Sequence, residues 1–213
     1  SYIMFLGPWD QGGEWSDSGI NGMARWLNRV WDIVNRDSTK LHVNQVSEKS
    51  ERDLLRILHK TIKRVEEDID RFKFNTALAA MMELTNYMGR AWEQNDISSD
   101  SWNNTVYTLL VLLAPIAPHI TEELWENIGG NYSIHNQTMP KWDEDLIRDD
   151  EITLVIQVNG KVRDKIQVEA AVSESDAKSM ALDSERTKNY ISGKVVRDLI
   201  YVPGRLVNIV LAD

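Results

Sequence analysis

The chain has 213 residues, of which 42% are hydrophobic and 27% charged, and its formal net charge is −9. This length allows one large domain or two modest ones, and the hydrophobic content excludes a disordered chain. The sequence contains no cysteine, which excludes disulfides, thiolate metal sites and a cysteine nucleophile, and which suits a cytoplasmic location.

Neither a membrane span nor a signal peptide is predicted. The longest apolar run, residues 107–117, is shorter than the ~20 residues that cross a bilayer. Residues 1–150 contain 15 Lys and Arg against 24 Asp and Glu, whereas residues 151–213 contain nine of each. Because phosphate binding needs local positive charge, any contact with nucleic acid must come from local basic patches.

Amphipathic helices are predicted over residues 16–130. Apolar side chains recur there every three or four positions in four long stretches, as they do on the buried face of a helix. Ser16, Asp17 and Ser18 offer N-cap oxygens for the first stretch, and the fourth stretch begins near Ser98 or Asp100. Pro115 and Pro118 end the last stretch, and a short helix follows. Four such helices with short connections predict a helical bundle.

The end of the chain has the two-residue period of β-strands. Residues 131–150 are polar and are predicted to form a linker, and residues 151–213 a small α+β domain with the order ββαββ. Apolar residues alternate before the dipeptide Asn159–Gly160, which is a strong hairpin signal. The predicted fold class is therefore mainly α, with a helical bundle followed by a small C-terminal α+β domain.

The register of this hairpin decides which side chains share a face. A two-residue turn would place Lys161 opposite Val158, beside the apolar face. A three-residue loop pairs Gln157 with Lys161 instead, and we prefer it because a shift of one residue exchanges the two faces. Lys161, Arg163 and Lys165 would then form a cationic stripe suited to a phosphate backbone. An ordinary solvated edge strand is the alternative that these residues leave open.

No catalytic constellation is found in the sequence. The phosphate-loop motif GxxxxGK[ST], the zinc motif HExxH and the nucleophile motif GxSxG are all absent. The four histidines are far apart and do not have metal-ligand spacing. We therefore predict no catalytic residue and no metal site in this chain.

Basic residues are grouped on faces of the first two long helices. They are Arg25, Arg29 and Arg36 on the first helix, and Lys60, Lys63, Arg64 and Arg71 on the second, with Lys73 just beyond. Phe72 and Phe74 alternate with the last two cations. Aromatic rings beside cations suit unpaired RNA, since bases stack on the rings while phosphates pair with the cations. Packing of the two rings at a helix corner explains them equally well.

Five segments of the sequence resemble class I aminoacyl-tRNA synthetases. RFKFNTALAAMMEL at 71–84 and LAPIAPHITEELW at 113–125 resemble the anticodon-binding bundle shared by the leucyl, isoleucyl, valyl and methionyl enzymes. EWSDSGI at 14–20, VNGKVRDK at 158–165 and VPGRLVNIV at 202–210 resemble bacterial-type leucyl-tRNA synthetases in particular. The resemblance covers essentially the whole chain.

The resemblance implies a bundle of the anticodon-binding type over 16–130, which contacts the anticodon stem of tRNA, and a C-terminal domain that touches the tRNA elbow. Residues 1–15 would be the remnant of a segment that joins a catalytic core absent from this chain. The chain itself is then expected to be inactive and without a cofactor. The longer protein would use ATP and Mg²⁺ to attach leucine to tRNA-Leu.

By the same resemblance, ten basic residues are candidates for tRNA binding. They are Lys161, Arg163, Lys165, Lys194 and Arg197 in the C-terminal domain, and Arg25, Arg29, Arg64, Arg71 and Lys73 in the bundle. The expected partners are tRNA-Leu and the catalytic core of the same polypeptide, in a cytoplasmic monomer without membrane contact. The alternatives are the same region of an isoleucyl or valyl enzyme, and a helical protein-interaction module that binds no RNA.

Overall fold

The structure is a computed structural model that describes residues 1–8, 10–41, 46–147, 151–170 and 172–212. The chain forms two compact units, Ser1–Ile147 and Arg148–Asp213. The first is helical and the second contains a β-sheet, which confirms the predicted fold class. No helix in the described ranges is long and apolar enough to cross a membrane.

The helical unit is built from one short and five longer α-helices among its described residues. These are α1 (Tyr2–Phe5), α2 (Asp17–Val34), α3 (Glu48–Asp70), α4 (Phe74–Gln94), α5 (Ser99–Leu113) and α6 (Pro118–Asn127). The Oγ atoms of Ser16, Ser47 and Ser98 accept hydrogen bonds from backbone N–H groups in the first turns of α2, α3 and α5. These caps satisfy N–H groups that have no partner within the helix.

The bundle core forms where the apolar stripes of the helices meet. α3 contributes Leu54, Leu58, Ile62 and Val65, which recur at helical spacing and are at most 2% exposed. Trp26 of α2 reaches into this core. By contrast Trp31 is 38% exposed, although its spacing continues the apolar pattern of α2. It lies at the edge of the apolar stripe, where an indole stays partly in contact with solvent.

The N-terminal segment packs on the bundle only in part. Tyr2 and Met4 contact the core, whereas Ile3 on the opposite side of α1 is 66% exposed. The Tyr2 hydroxyl donates to the Ser16 carbonyl and accepts from the Ser16 N–H, both at 2.9 Å. The apolar run at residues 2–6 is therefore a short half-buried helix anchored to the start of α2.

Residues 131–147 differ from the predicted linker over 131–150, because they pack on the helical unit. Ile134 is 1% exposed and belongs to the bundle core. The Trp142 indole N–H donates to Glu66 at 3.0 Å, and the Lys63 ammonium lies 4.3 Å from the Trp142 ring centroid. These contacts hold a polar segment on α3, which its composition alone does not indicate. Residues 148–150 lie outside the described residues.

The second unit is a four-stranded sheet with two helices on one face. Its elements are β1 (Glu151–Val158), β2 (Lys161–Glu169), α7 (Glu174–Asp183), α8 (Glu185–Ile191), β3 (Val196–Val202) and β4 (Leu206–Leu211). The strand order is β2-β1-β4-β3, with β1 parallel to β4 and both hairpins antiparallel. Two short helices thus stand where one was predicted. They cover the buried residues Leu154, Ile156, Val207 and Ile209.

The first hairpin has a two-residue turn, so the predicted three-residue loop is wrong. Val158 pairs directly with Lys161, and Asn159 and Gly160 have φ values of 49° and 76°. Two successive residues with positive φ define the turn that matches the twist of the strands. The Asn159 side chain accepts from the Leu211 N–H at 2.9 Å, which fixes the turn against β4.

A β-bulge then restores the apolar register of β2. Val162 pairs with Gln157 and Asp164 pairs with Ile156, so that Arg163 is the extra residue. One additional residue shifts the alternation of faces by one position. Leu154 therefore still faces Ile166 inside the core.

Candidate nucleic-acid interface

A groove between α3 and α4 collects three basic side chains. It has a volume of about 760 Å³, and Arg56, Lys60 and Arg64 line it from α3. Their spacing of four residues places them in a row along one helix face. Thr76, Ala79 and Ala80 line the α4 side, and these small side chains leave the groove open.

Acidic side chains partly balance this row and hold it in place. The Arg56 guanidinium lies 2.6 Å from the Asp53 carboxylate, and the Arg64 Nε atom lies 2.7 Å from that of Asp68. Asp68 is only 3% exposed, so Arg64 compensates a buried charge and is also held by it. The groove thus presents oriented cations, although it is not uniformly positive, because Glu83 also lines it.

The groove contains the predicted candidate Arg64 and Lys60, which the sequence groups with it on the second long helix, and the structure adds Arg56 to them. Arg56 could have been found from the four-residue spacing in the sequence. Lys63, in contrast, lies on another face of α3, over the ring of Trp142. What the sequence could not supply was the small-residue wall of α4, because it depends on which faces of α3 and α4 pack together.

The turn between α3 and α4 carries the predicted candidates Arg71 and Lys73. Both residues are exposed, and neither forms an ion pair with another residue in the described part of the chain. Thr76, which lines the groove, donates from its hydroxyl to the Lys73 carbonyl at 3.0 Å. This hydrogen bond ties the turn to the first residues of α4, which line the groove.

Arg25 and Arg29 line a different groove of about 420 Å³, together with Phe5, Trp26 and Asn86. The Arg29 guanidinium donates a hydrogen bond to the Asn86 side chain on α4. The predicted common face of these two arginines is present on α2.

Arg36 is not part of that groove, although its spacing predicted a shared face. It follows the C-terminal end of α2, and its guanidinium carbon lies 5.2 Å from the Trp92 ring centroid and 5.9 Å from that of Trp102. The helix ends at Val34, two residues before Arg36, so helical geometry does not keep Arg36 in line with Arg25 and Arg29. Its guanidinium packs on the two indoles instead.

The predicted cationic stripe of the C-terminal domain does not form. Lys165 pairs with Val155 on the helix-free face of the sheet, whereas Arg163 lies over the Tyr190 ring on the helix side, 4.2 Å from its centroid. Lys161 is exposed beside the turn. The bulge at Arg163 separates the three cations, because it breaks the strict alternation on which the stripe depended.

Lys194 and Arg197 lie at the opposite edge of this sheet. Lys194 precedes β3, and Arg197 is the extra residue of a second bulge, between the pairs Val196–Leu211 and Asp198–Val210. Since β2 and β3 are the two outer strands, the five C-terminal candidates fall into two separate groups.

Asp164 is the charged residue that the first bulge places beside the domain core. Its carboxylate accepts a hydrogen bond from the Ser184 hydroxyl and another from the Lys165 N–H at 2.8 Å. Arg186 lies 3.7 Å away. The Ser184 and Lys165 hydrogen bonds, with a smaller contribution from Arg186, lower the pKa of Asp164 below its usual value. The carboxylate, although it lies on the apolar face of the sheet, is thereby kept charged and has hydrogen-bond partners.

Comparison with known proteins relates this chain to tRNA ligases. Residues 51–178 match the family described as the anticodon-binding domain of tRNA ligase. The match covers α3 to α6 and continues into the second unit. The chain belongs to this family.

The individual relatives show which kind of tRNA ligase the chain resembles. The chain is 53% identical to a leucine–tRNA ligase of Dehalococcoides mccartyi and 43% identical to that of Rubrobacter xylanophilus, in each case over 99% of its length. It spans about a quarter of the length of these curated relatives, 26% and 25%. The predicted resemblance to leucyl-tRNA synthetases is confirmed, and the isoleucyl and valyl alternatives are not favoured.

One solved structure extends the similarity to the fold. It is a ternary complex, LeuRS–tRNA–LeuAMS, of Agrobacterium radiobacter K84, with a TM-score of 0.85 and 29% sequence identity. The similarity covers all of this chain and 28% of that one.

Proposed function

We propose that this chain is the tRNA-binding part of a leucine–tRNA ligase and orients tRNA-Leu for leucylation. The catalytic core would lie elsewhere in the longer protein, which would use ATP and Mg²⁺ in the cytoplasm as a monomer without membrane contact. The chain itself would be inactive. Support comes from membership of the anticodon-binding family and from similarity to leucine–tRNA ligases.

The observation that carries the proposal is the cationic row that continues into the exposed α3–α4 turn. Arg56, Lys60 and Arg64 line the groove, and Arg71 and Lys73 follow at the turn. A series of cations along one surface suits the phosphates of an RNA stem. The net charge of −9 restricts favourable contact to such local surfaces. The C-terminal candidates would add two smaller contacts from the edges of the sheet.

A salt-dependent titration of the chain with tRNA-Leu tests this function. Affinity is expected to fall steeply between about 50 and 200 mM salt, because each neutralised phosphate releases counterions. The double variant Arg71→Glu, Lys73→Glu should weaken binding and lower the slope of log affinity against log salt by about 2.

The double variant Lys49→Glu, Arg52→Glu is a matched control, because it reverses the same number of charges. Lys49 and Arg52 are exposed near the start of the same helix, roughly 30 Å from the turn at 1.5 Å per residue. This control should leave the slope unchanged. Equal effects of the two variants would show that long-range charge acts rather than a local contact. Affinity that is insensitive to salt would instead favour a protein-interaction module and contradict the proposed function.

A further inference from the structure

The α3–α4 turn places an aromatic residue where the backbone favours glycine. Phe72 has a φ of 56°. The Lys73 N–H donates to the Asp68 carbonyl at 2.7 Å, and the Phe72 N–H donates to the Ile69 carbonyl at 3.0 Å. These two bonds form a Schellman motif, in which the left-handed position is usually glycine because it has no Cβ. Backbone preference therefore does not explain a phenylalanine here.

Burial does not explain this residue either. Phe72 is 63% exposed and lies outside the apolar core of the bundle. Its ring packs at 86° against that of Phe74, with the centroids 6.0 Å apart. This edge-to-face contact orients the Phe72 ring, while most of its surface remains accessible. A large, oriented and exposed ring in an unfavourable backbone position points to a binding contact.

The charges around the ring indicate what it binds. Arg71 and Lys73 flank it and are exposed, and among the described residues neither is in an ion pair. Of the two nearest carboxylates in the sequence, Asp68 is buried against Arg64 and Asp70 is exposed. The ring therefore has an exposed cation on each side of it in the sequence, and Asp70 is the nearest exposed acid.

This combination fits a nucleotide better than an apolar protein partner. A base can stack on the ring while its flanking phosphates pair with Arg71 and Lys73. A base within a regular duplex is already stacked on its neighbours and is unavailable for such a contact. The base must therefore come from a loop, bulge or end.

We propose that Phe72 is a stacking platform for one unpaired nucleobase of the bound tRNA, with Arg71 and Lys73 holding the adjacent phosphates. The proposal rests on the proposed function, since it assigns a contact within the tRNA complex. It adds a neutral, aromatic contact to a surface whose other proposed contacts with tRNA are electrostatic.

The test compares variants of Phe72 in the full chain, with tRNA-Leu and with a blunt RNA duplex of equal length. Phe72→Leu keeps an apolar side chain without a π face, and Phe72→Gly suits the backbone but has no ring. Both should weaken tRNA-Leu binding by about 5- to 150-fold, the range expected for the loss of one stacked base. Phe72→Tyr should retain affinity, because its ring can still stack.

Two further readouts separate stacking from charge and from misfolding. The salt slope of Phe72→Leu should equal that of the unmodified chain, because the ring carries no charge. Its affinity for the duplex should also be unchanged. Circular dichroism of Phe72→Gly should show an intact fold, since glycine adopts positive φ readily.

The outcomes distinguish this proposal from the proposed function. If Phe72→Leu and Phe72→Gly bind tRNA-Leu normally while Arg71→Glu, Lys73→Glu weakens binding, stacking is wrong and tRNA binding stands. An equal loss on tRNA and duplex would also overturn stacking on an unpaired base. If the unmodified chain does not bind tRNA-Leu at low salt, both proposals fail.

Discussion

A buried hydrogen bond between α2 and α4 provides a quantitative test of how the bundle is held together. The Trp26 indole N–H donates to the Thr85 hydroxyl at 3.0 Å, and the Thr85 hydroxyl donates to the Met82 carbonyl at 2.9 Å. Trp26 is 5% exposed and Thr85 is fully buried. Thr85→Val keeps nearly the same volume but removes the acceptor of the indole N–H.

The expected cost follows from this loss of an acceptor. A buried donor left without a partner costs about 1–3 kcal/mol, and removal of the threonine hydroxyl from the interior offsets part of this. We therefore expect a loss of about 1–2 kcal/mol. For a unit of the size of Ser1–Ile147, each 1 kcal/mol lowers Tm by roughly 2–4 °C. Thr85→Val should lower Tm by about 2–8 °C.

Tryptophan fluorescence reports on the helical unit, because all eight tryptophans precede residue 148. Thr105→Val is the matched control. Thr105 is also fully buried, but its hydroxyl donates to the Ser101 carbonyl of its own helix and accepts no hydrogen bond from another described residue. Its replacement leaves no side-chain donor without an acceptor and should change Tm little. Equal shifts for the two variants would refute the assigned role of the Trp26–Thr85 bond.

Three further changes test the helices, the turn and the second unit. Gly89→Ala in α4 should stabilise the helical unit by about 1 kcal/mol in fluorescence-monitored melting, since a Cβ there meets no atom within 4 Å; a lower Tm would contradict this. Gly160→Ala should destabilise the first hairpin by about 1–2 kcal/mol through its φ of 76° alone, measured by amide exchange in β1 and β2, and unchanged exchange would show that the turn adapts. Because folding lowers the pKa of Asp164, the charged carboxylate stabilises the folded second unit. This contribution is fully present above the unfolded pKa of about 4 and is lost as the pH falls through the lower pKa of the folded state. Asp164→Asn should therefore destabilise the second unit at pH 6 more than at acid pH in urea unfolding followed by circular dichroism, and a pH-independent difference would argue against that lowered pKa.

Local features of the sequence were sufficient to predict the long helices of the bundle. Of the candidate cap residues, Ser16 and Ser98 are the ones that cap α2 and α5, and the sequence could supply them because an N-cap acts within one helical turn. The apolar stripe of α3 likewise predicts the buried face that includes Leu54 and Leu58, since helical periodicity needs no information from other elements.

Features that depend on how two strands pair with each other could not be predicted in the same way. The turn at Asn159–Gly160 and the bulge at Arg163 depend on how β1 pairs with β2, and together they removed the predicted stripe. The sequence shows which cations are present but not on which face of the sheet each one lies. One extra residue in a strand changes the face of every residue beyond it.

The sequence by itself determined the family, the helical bundle and the types of residue available for RNA, because motifs, periodicity and composition are local properties. Helical spacing placed some cations on a common helix face, but only the tertiary structure decided which other side chains surround them. The small residues of α4 open the groove beside Arg56 and Lys60, and the Schellman turn exposes Phe72 beside Arg71. The groove depends on the pairing of α3 with α4, and the exposure of Phe72 depends on which segments pack on the turn. Such contacts are set by packing rather than by the order of residues in the chain.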